Sequence, residues 1–296
     1  MTKKFTGTTT ALVTPFNDDL SIDNESLKKL IEYQINGNIS NILLSGTTGE
    51  GVTLETEELV DLIKTSKEVI KDRVPVIVGS GSNSTSKTIS NSKIANEAGA
   101  DALLVVGPYY NKPTQNGYYE HFKACASEVN IPIIIYNVPS RTGGNIDPAT
   151  IIKLSEIDNI VGVKEASGNL NQMMEIKKYT NEDFIILSGE DSLTFPMLTL
   201  GGDGVISVVS NQIPEQFSNM VSKALTGNLE IASQIHYKYL ELMKINFVES
   251  NPIPVKYALY KMGLCKENYR LPLVKLQKVN KEKVDNCLKE LELILD

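Results

Sequence analysis

Eight short apolar runs alternate with segments of helical periodicity over the first 227 residues, and this alternation restricts the possible folds more than any other feature. Ile133-Ile134-Ile135 shows the pattern best, because it is apolar on both faces of an extended strand. Strands of that kind lie in parallel sheets that helices cover on both sides. The predicted strands are Thr9–Val13, Ile39–Ser45, Pro75–Gly79, Ala102–Val106, Pro132–Asn137, Ile160–Lys164, Ile185–Ser188 and Gly204–Val208.

Eight parallel strands joined by helical crossovers predict an α/β fold, a closed (β/α)8 TIM barrel of about 250 residues. The alternative is a doubly wound open sheet, which usually carries a glycine fingerprint after its first strand. This chain has Thr14-Pro15-Phe16 there, so the barrel is preferred. We predict a catalytic barrel over residues 1–227 and a C-terminal helical region over residues 228–296. Helical periodicity in the second part predicts Leu229–Phe247, Val255–Met262 and Lys281–Leu295.

Composition and charge exclude several classes of protein. The net charge is -7 with acidic and basic residues interleaved, whereas a nucleic-acid surface needs a concentrated basic field. No apolar run approaches the roughly 20 residues that span a bilayer, and the first residues lack a secretory signal, so we expect a cytoplasmic protein. Cys125, Cys265 and Cys287 lack zinc-ligand spacing and are expected to be reduced core thiols. With only His121 and His236 available, no metal site is predicted.

Residues at the C-terminal ends of the strands are the candidates for function, because barrel active sites lie at that face. Lys164 ends the sixth predicted strand, where desolvation can lower the pKa of its amine and make it nucleophilic. The alternative is a lysine that reaches a carboxylate such as Glu165. Tyr136 ends the adjacent strand, about 4.8 Å away, so both side chains can face one pocket. The phenol could move protons during imine formation, or it could simply fill the barrel mouth.

Further polar residues follow other strand ends. Arg141 could bind a carboxylate through its planar fork or form a surface salt bridge. Gly46-Thr47-Thr48-Gly49-Glu50 combines glycines, hydroxyls and consecutive backbone N–H groups that can hold a small anion, although glycine-rich turns without function are common. Of the neighbouring Tyr109 and Tyr110, only one is expected to face its own pocket. No nucleotide-binding fingerprint occurs, so no cofactor is predicted.

Taken together, these segments resemble the class I aldolase-type family of dihydrodipicolinate synthase and N-acetylneuraminate lyase. Each motif is modest alone, but their order on consecutive strands is specific. The resemblance covers nearly the whole chain, from Gly7-Thr-Thr-Thr-Ala11 to Asn251-Pro-Ile-Pro-Val-Lys256. The motifs between these ends are Gly46-Thr-Thr-Gly-Glu50, Tyr136-Asn-Val-Pro-Ser-Arg-Thr-Gly143 and Gly162-Val-Lys-Glu-Ala-Ser167.

The resemblance implies a lyase of lysine and diaminopimelate biosynthesis that condenses pyruvate with L-aspartate 4-semialdehyde. Lys164 would form a Schiff base with pyruvate, and Arg141 would bind the carboxylate of the semialdehyde. Protons would pass from Tyr136 to a tyrosine of the adjacent subunit. The implied catalytic residues are Lys164, Tyr136, Thr47 and Tyr110, and the implied substrate-binding residues are Thr48, Arg141, Gly189 and Ile206.

The resemblance also implies self-association and bears on regulation. A tyrosine shared between subunits requires at least a dimer, and the family is commonly a dimer of dimers, so a homotetramer is expected. Some members bind inhibitory lysine through an acidic side chain at an interface. Lys87 occupies that position here, where a cation would repel the ligand, and Thr56 and Leu59 replace polar or histidine partners. We therefore predict weak or absent inhibition by lysine.

Two other functions stay open from the sequence. One is a related pyruvate-dependent aldolase acting on a sugar acid of the N-acetylneuraminate or keto-deoxy-gluconate type, against which Arg141 and Thr48 argue. The other is a barrel that only binds or regulates, which would have no use for an imine-forming lysine. Trapping with pyruvate and borohydride separates an aldolase from a binding protein.

Overall fold

The eight strands form a closed parallel barrel in a computed structural model, which describes residues 4–295. Each strand pairs with the next one in the chain, and β1 pairs with β8 to close the ring. The predicted (β/α)8 barrel is therefore confirmed. The strands are β1 (Gly7–Ala11), β2 (Asn41–Leu44), β3 (Val76–Gly79), β4 (Ala102–Val106), β5 (Ile133–Asn137), β6 (Ile160–Glu165), β7 (Ile185–Ser188) and β8 (Gly204–Ser207).

Helices follow the strands and form the outer layer of the barrel. Two helices, one of a single turn, lie between β5 and β6. The helices are α1 (Asn24–Asn36), α2 (Thr56–Ile70), α3 (Thr85–Glu97), α4 (Gln115–Ala126), α5 (Pro139–Thr142), α6 (Pro148–Leu154), α7 (Leu170–Tyr179), α8 (Asp191–Thr199), α9 (Pro214–Leu225), α10 (Leu229–Ile245), α11 (Ile253–Lys261) and α12 (Lys278–Glu290).

Several element boundaries differ from the sequence prediction by a few residues, and in β1 and α12 a long-range contact accompanies the difference. Strand β1 begins and ends two residues before the predicted Thr9–Val13, because Gly7 pairs with Gly204 of β8. Helix α12 begins before the predicted Lys281, where the Glu249 carboxylate accepts the Gln277 N–H at 3.0 Å. Neither contact is visible in the local hydrophobic pattern.

Two apolar layers pack against the two faces of the barrel strands. The inner layer fills the barrel and includes Ile77, Ile134 and Leu187, each 0% exposed. The outer layer lies between strands and helices and includes residues such as Ile135 and Phe122. Because successive side chains of a strand point to opposite faces, adjacent isoleucines of β5 serve the two layers. The C-terminal ends of the strands lie above the inner layer and form the floor of the barrel mouth.

The C-terminal helices α10, α11 and α12 pack beside α8 and α9 around an apolar cluster of their own. Leu242, Ala258 and Val284 are fully buried in it. The division of the chain at residue 227 stays a prediction. Within the described residues no helix is long and apolar enough to cross a membrane, and no group of side chains could hold a metal ion. All three cysteines are buried and unpaired, as predicted.

Candidate active site

Lys164 lies at the C-terminal end of β6, inside the barrel mouth, with 6% of its surface exposed. Its Nζ atom lies 4.3 Å from the centroid of the Tyr136 ring. Burial lowers the pKa of the Lys164 amine to about 8, because desolvation disfavours the ammonium form. The carboxylates of Asp191 and Glu190 oppose this fall in pKa, while the Arg141 cation adds to it. Lys164 is therefore deprotonated far more often at neutral pH than a surface lysine.

Tyr136 is the strand neighbour of Lys164, since the two residues are paired in the register of β5 and β6. Its ring is buried in the inner apolar layer. Burial raises the pKa of the Tyr136 phenol to about 12, although Arg141 and the Thr47 hydroxyl counteract the rise. The phenol is thus protonated at neutral pH and can donate its proton close to the Lys164 amine.

Gly189 follows β7 and provides the space for the lysine side chain. A Cβ atom at this position would lie 2.6 Å from the Ala166 Cβ and 3.1 Å from the Lys164 Cε. The first distance is too short for two carbon atoms, so a larger residue would displace the chain next to Lys164. Ile206 on β8 is buried in the inner layer and lines the same interior.

The loop Gly46–Glu50 follows β2 and is held from the C-terminal region of the chain. Thr47 is exposed at the mouth, whereas Thr48 is buried and its Oγ1 accepts a hydrogen bond from the Asn251 amide at 3.0 Å. At the end of the loop, the Lys256 Nζ donates to the Glu50 Oε1 at 2.6 Å in a fully buried ion pair. The loop can therefore present hydroxyls and backbone N–H groups from a fixed position.

Arg141 and Tyr110 both lie outside the buried interior. Arg141 is exposed on the single turn of α5, close enough for its charge to lower the pKa of both Lys164 and Tyr136. Tyr110 is 89% exposed and has a φ of 74°, a left-handed conformation that is uncommon for a non-glycine residue. The Tyr110 backbone N–H donates to the Thr142 carbonyl at 3.3 Å, next to Arg141, so Tyr110 lies at the rim of the same mouth with its ring open to solvent. The structure thus places the eight predicted site residues on one face of the barrel, with the Tyr110 ring outside the buried interior.

Glu165 does not serve as the partner of Lys164, which was the alternative explanation for a lysine at this strand end. Its carboxylate accepts hydrogen bonds from the Asn137 amide at 3.1 Å, the Gln172 amide at 3.0 Å and the Ser167 N–H at 2.7 Å. Successive strand residues point to opposite faces, so Glu165 lies outside the barrel when Lys164 lies inside. These bonds fix the strand end and with it the backbone of Lys164.

Sequence reasoning missed two polar residues near the site. Asp191 is 2% exposed, and its Oδ2 accepts the N–H groups of Val208 at 3.0 Å and Val209 at 2.7 Å. Burial raises the pKa of the Asp191 carboxyl to about 6, against the effect of those hydrogen bonds. Asn251, the second residue, contacts Thr48 from 203 positions away in the chain. Asn251 begins a segment of the family resemblance, which was the available signal, whereas nothing local marks Asp191.

A second groove, with a volume of about 980 Å³, lies at the opposite end of the barrel. It is lined by residues at the start of β1 and along α9, such as Thr8 and Glu215. None of its lining residues is a lysine, arginine, histidine, cysteine or tyrosine. The chemistry therefore points to the mouth around Lys164.

Comparisons with known proteins show the family to which this chain belongs. A sequence model of the Dihydrodipicolinate synthetase family matches residues 4–291. A relative from Pelodictyon phaeoclathratiforme, named 4-hydroxy-tetrahydrodipicolinate synthase, is 47% identical over 99% of both chains. The crystal structure of dihydrodipicolinate synthase from Aquifex aeolicus has a TM-score of 0.96 and 45% identity, covering 99% of this chain and 100% of that one. A structure described as the first monomeric dihydrodipicolinate synthase variant has a TM-score of 0.96 and 43% identity, covering 98% of each chain.

A closed barrel with a desolvated lysine and a tyrosine in its mouth defines a Schiff-base lyase of the class I aldolase type. The match of the family model to residues 4–291 narrows this class to one family. The chain belongs to the dihydrodipicolinate synthetase family.

Proposed function

We propose that this protein condenses pyruvate with L-aspartate 4-semialdehyde to give 4-hydroxy-tetrahydrodipicolinate, the first committed step toward diaminopimelate and lysine. The observation that carries the proposal is the buried Lys164 amine, whose pKa is lowered to about 8 beside the Tyr136 phenol. The relatives named 4-hydroxy-tetrahydrodipicolinate synthase favour this acceptor over a sugar acid. The reaction needs no cofactor, because the lysine itself supplies the electron sink.

Imine formation begins the reaction. The neutral Lys164 amine attacks the ketone carbon of pyruvate, and water leaves as the C=N bond forms. The departing oxygen needs a proton, which the Tyr136 phenol can donate because its pKa stays high. The attacking amine gives up a proton as the C=N bond forms, and that proton returns to Tyr136 through Thr47, whose hydroxyl interacts with the phenol.

The carboxylate of pyruvate fits the loop Gly46–Glu50. The hydroxyls of Thr47 and Thr48 and the backbone N–H groups between the glycines are donors that match an anion. Holding the carboxylate there places the ketone over Lys164. Loss of a proton from the methyl group then converts the imine to an enamine, whose terminal carbon is the nucleophile of the next step.

The second substrate is an aldehyde with a carboxylate of its own. Arg141, exposed at the rim of the mouth, binds that carboxylate through its guanidinium fork. The enamine carbon bonds to the aldehyde carbon, and the aldehyde oxygen takes up the proton that the methyl group lost. The amino group of the acceptor then attacks the imine carbon, which closes the ring and releases the Lys164 amine. Gly189 and Ile206 leave room for these steps.

Tyr110 takes part only if two subunits associate. Its ring is 89% exposed at the rim of the mouth, which suits a side chain that enters the mouth of a second subunit. We therefore propose a homotetramer, a dimer of dimers in which each Tyr110 completes the proton path of its neighbour. The three free, buried cysteines fit a reducing compartment, and we propose the cytoplasm.

Borohydride reduction in the presence of pyruvate tests the lysine directly. The wild-type protein should gain the mass of reduced pyruvate on the peptide that contains Lys164, and Lys164→Ala should gain none. Lys153→Ala is a matched control, because Lys153 also lies over a tyrosine ring, 3.9 Å from the Tyr119 centroid, but is exposed on α6. Labelling that persists in Lys164→Ala would contradict the proposal.

A further inference from the structure

The segment that begins α11 holds the loop Gly46–Glu50 at two points. The Asn251 amide reaches Thr48, and the Lys256 ammonium reaches Glu50. Thr48, Glu50, Asn251 and Lys256 are all buried, at 2%, 2%, 5% and 0% exposure. The contacts are therefore sheltered from water, which makes their polarity and geometry count for more than on the surface.

The direction of the first hydrogen bond has a chemical consequence. Asn251 Nδ2 donates and Thr48 Oγ1 accepts, at 3.0 Å. A hydroxyl that accepts one bond still has its own proton to donate. Among residues 4–295 this proton has no acceptor within hydrogen-bonding distance, so it is available to a ligand in the mouth.

The second contact keeps the loop from adjusting. Glu50 has a φ of 53°, which a non-glycine residue adopts only when its surroundings compensate for the strain. Its Oε1 accepts from the Lys256 Nζ at 2.6 Å, and its Oε2 accepts the Arg270 N–H at 3.1 Å. With the end of the loop fixed in this way, Thr48 cannot rotate its backbone to find another donor.

We propose that Asn251 is a positioning residue for pyruvate: by donating to the Thr48 oxygen, it reserves the Thr48 proton for the pyruvate carboxylate. The inference rests on the proposed function, because it takes pyruvate as the ligand of this loop. Asn251 itself contacts Thr48 and is not required to touch the substrate. Its effect should therefore appear in the affinity for pyruvate and only when the Thr48 hydroxyl is present.

Asn251→Asp is the sharpest variant, because it replaces the donor with an acceptor of almost the same shape. The Thr48 hydroxyl would then donate to the aspartate and present only lone pairs to the substrate carboxylate. Removing a hydrogen bond to a charged group lowers the affinity for the ligand by roughly 10- to 100-fold. We expect the pyruvate concentration that gives half-maximal borohydride trapping to rise by that factor, while the KM for aspartate semialdehyde stays within about 2-fold.

Two further variants keep the test decisive if the aspartate does not fold. Asn251→Ala removes the donor without adding a charge and should also weaken pyruvate binding. In a Thr48→Val background, Asn251→Ala should have no further effect on half-saturation, because the hydroxyl through which it acts is gone. Asn246→Asp is the control for a buried amide, since Asn246 donates to the Gln212 Oε1 at 2.8 Å away from the loop.

The possible outcomes distinguish a failure of the positioning role of Asn251 from a failure of the proposed function. Wild-type protein that is trapped by pyruvate, together with an Asn251→Asp variant that has unchanged half-saturation, would overturn the positioning role and leave the proposed function intact. A loss of affinity equal in Asn246→Asp, or additive with Thr48→Val, would likewise overturn it. Failure of the wild type to be trapped would remove the proposed function and this inference with it.

Discussion

Replacing Lys256 with methionine should destabilise the protein strongly, because it leaves a buried carboxylate without its cation. Methionine keeps much of the side-chain volume. The loss is therefore mainly that of the Lys256–Glu50 ion pair, whose two side chains are 0% and 1% exposed, and of the hydrogen bond from the Lys256 Nζ to the Asn268 carbonyl at 2.7 Å. Breaking a buried pair from one side costs about 3–5 kcal/mol. For a chain of 296 residues, an unfolding entropy of about 2.1 cal/mol/K per residue converts this into a fall in Tm of about 5–8 °C.

The assay is thermal unfolding at a fixed heating rate, with Glu50→Gln and the double variant measured beside Lys256→Met. Removing both charges leaves no unpaired buried charge, so the double variant should lose less stability than the two single variants added together. Lys266→Met is the matched control, because the Lys266–Asp18 pair at 2.8 Å is exposed and should contribute little. Strictly additive single variants, or a control that loses as much as Lys256→Met, would refute the reasoning.

Further predictions concern the reaction. With a Lys164 pKa of about 8, the rate of pyruvate trapping should rise about tenfold per pH unit below pH 8 and level off above it, because only the neutral amine attacks. Arg141→Ala should raise the KM for aspartate semialdehyde about tenfold or more while borohydride trapping of pyruvate is preserved. Tyr110→Phe should lower kcat about 10- to 100-fold without changing the Tm, measured by steady-state kinetics and thermal unfolding. L-Lysine up to millimolar concentrations should leave the initial rate nearly unchanged, because Lys87, exposed on α3, has the place that the family resemblance assigns to an acid that binds the ligand.

Each of these predictions has a clear contrary result. A trapping rate that keeps rising to pH 10 would show that the Lys164 amine titrates like a surface lysine. Equal KM values for the semialdehyde in Arg141→Ala and wild type would show that Arg141 does not bind the acceptor. Normal turnover in Tyr110→Phe would remove the shared proton path, and inhibition by sub-millimolar lysine would show that Lys87 does not exclude the ligand.

The barrel and the strand-end residues were predictable because each follows from local patterns. Apolar runs such as Ile133-Ile134-Ile135 identify buried parallel strands, and the position of Lys164 after such a run indicates a desolvated amine. Once the strands are aligned, Tyr136 must lie beside Lys164, and the register confirms that neighbourhood. The extent of β1 was not predictable, because it depends on pairing with β8 at the far end of the chain.

The hydrogen bonds and the ion pair that hold the site in place were not predictable, because they join distant parts of the chain. Asn251 and Lys256 reach the loop Gly46–Glu50 from about two hundred residues away, and no periodicity connects them. The buried carboxylate of Asp191 is equally invisible, since an acidic residue at the start of a helix normally caps that helix. Only the fold shows that it accepts backbone N–H groups beyond β8.

The most direct test of the account is the initial rate of product formation from pyruvate and aspartate semialdehyde, compared among wild type, Lys164→Ala and Lys153→Ala. We expect turnover by the wild type and by Lys153→Ala, and a loss of at least about 1000-fold in Lys164→Ala, because the Lys164 amine forms the imine. Turnover that survives in Lys164→Ala would contradict the Schiff-base mechanism. A folded wild-type protein that is trapped by pyruvate but gives no product would contradict the choice of acceptor.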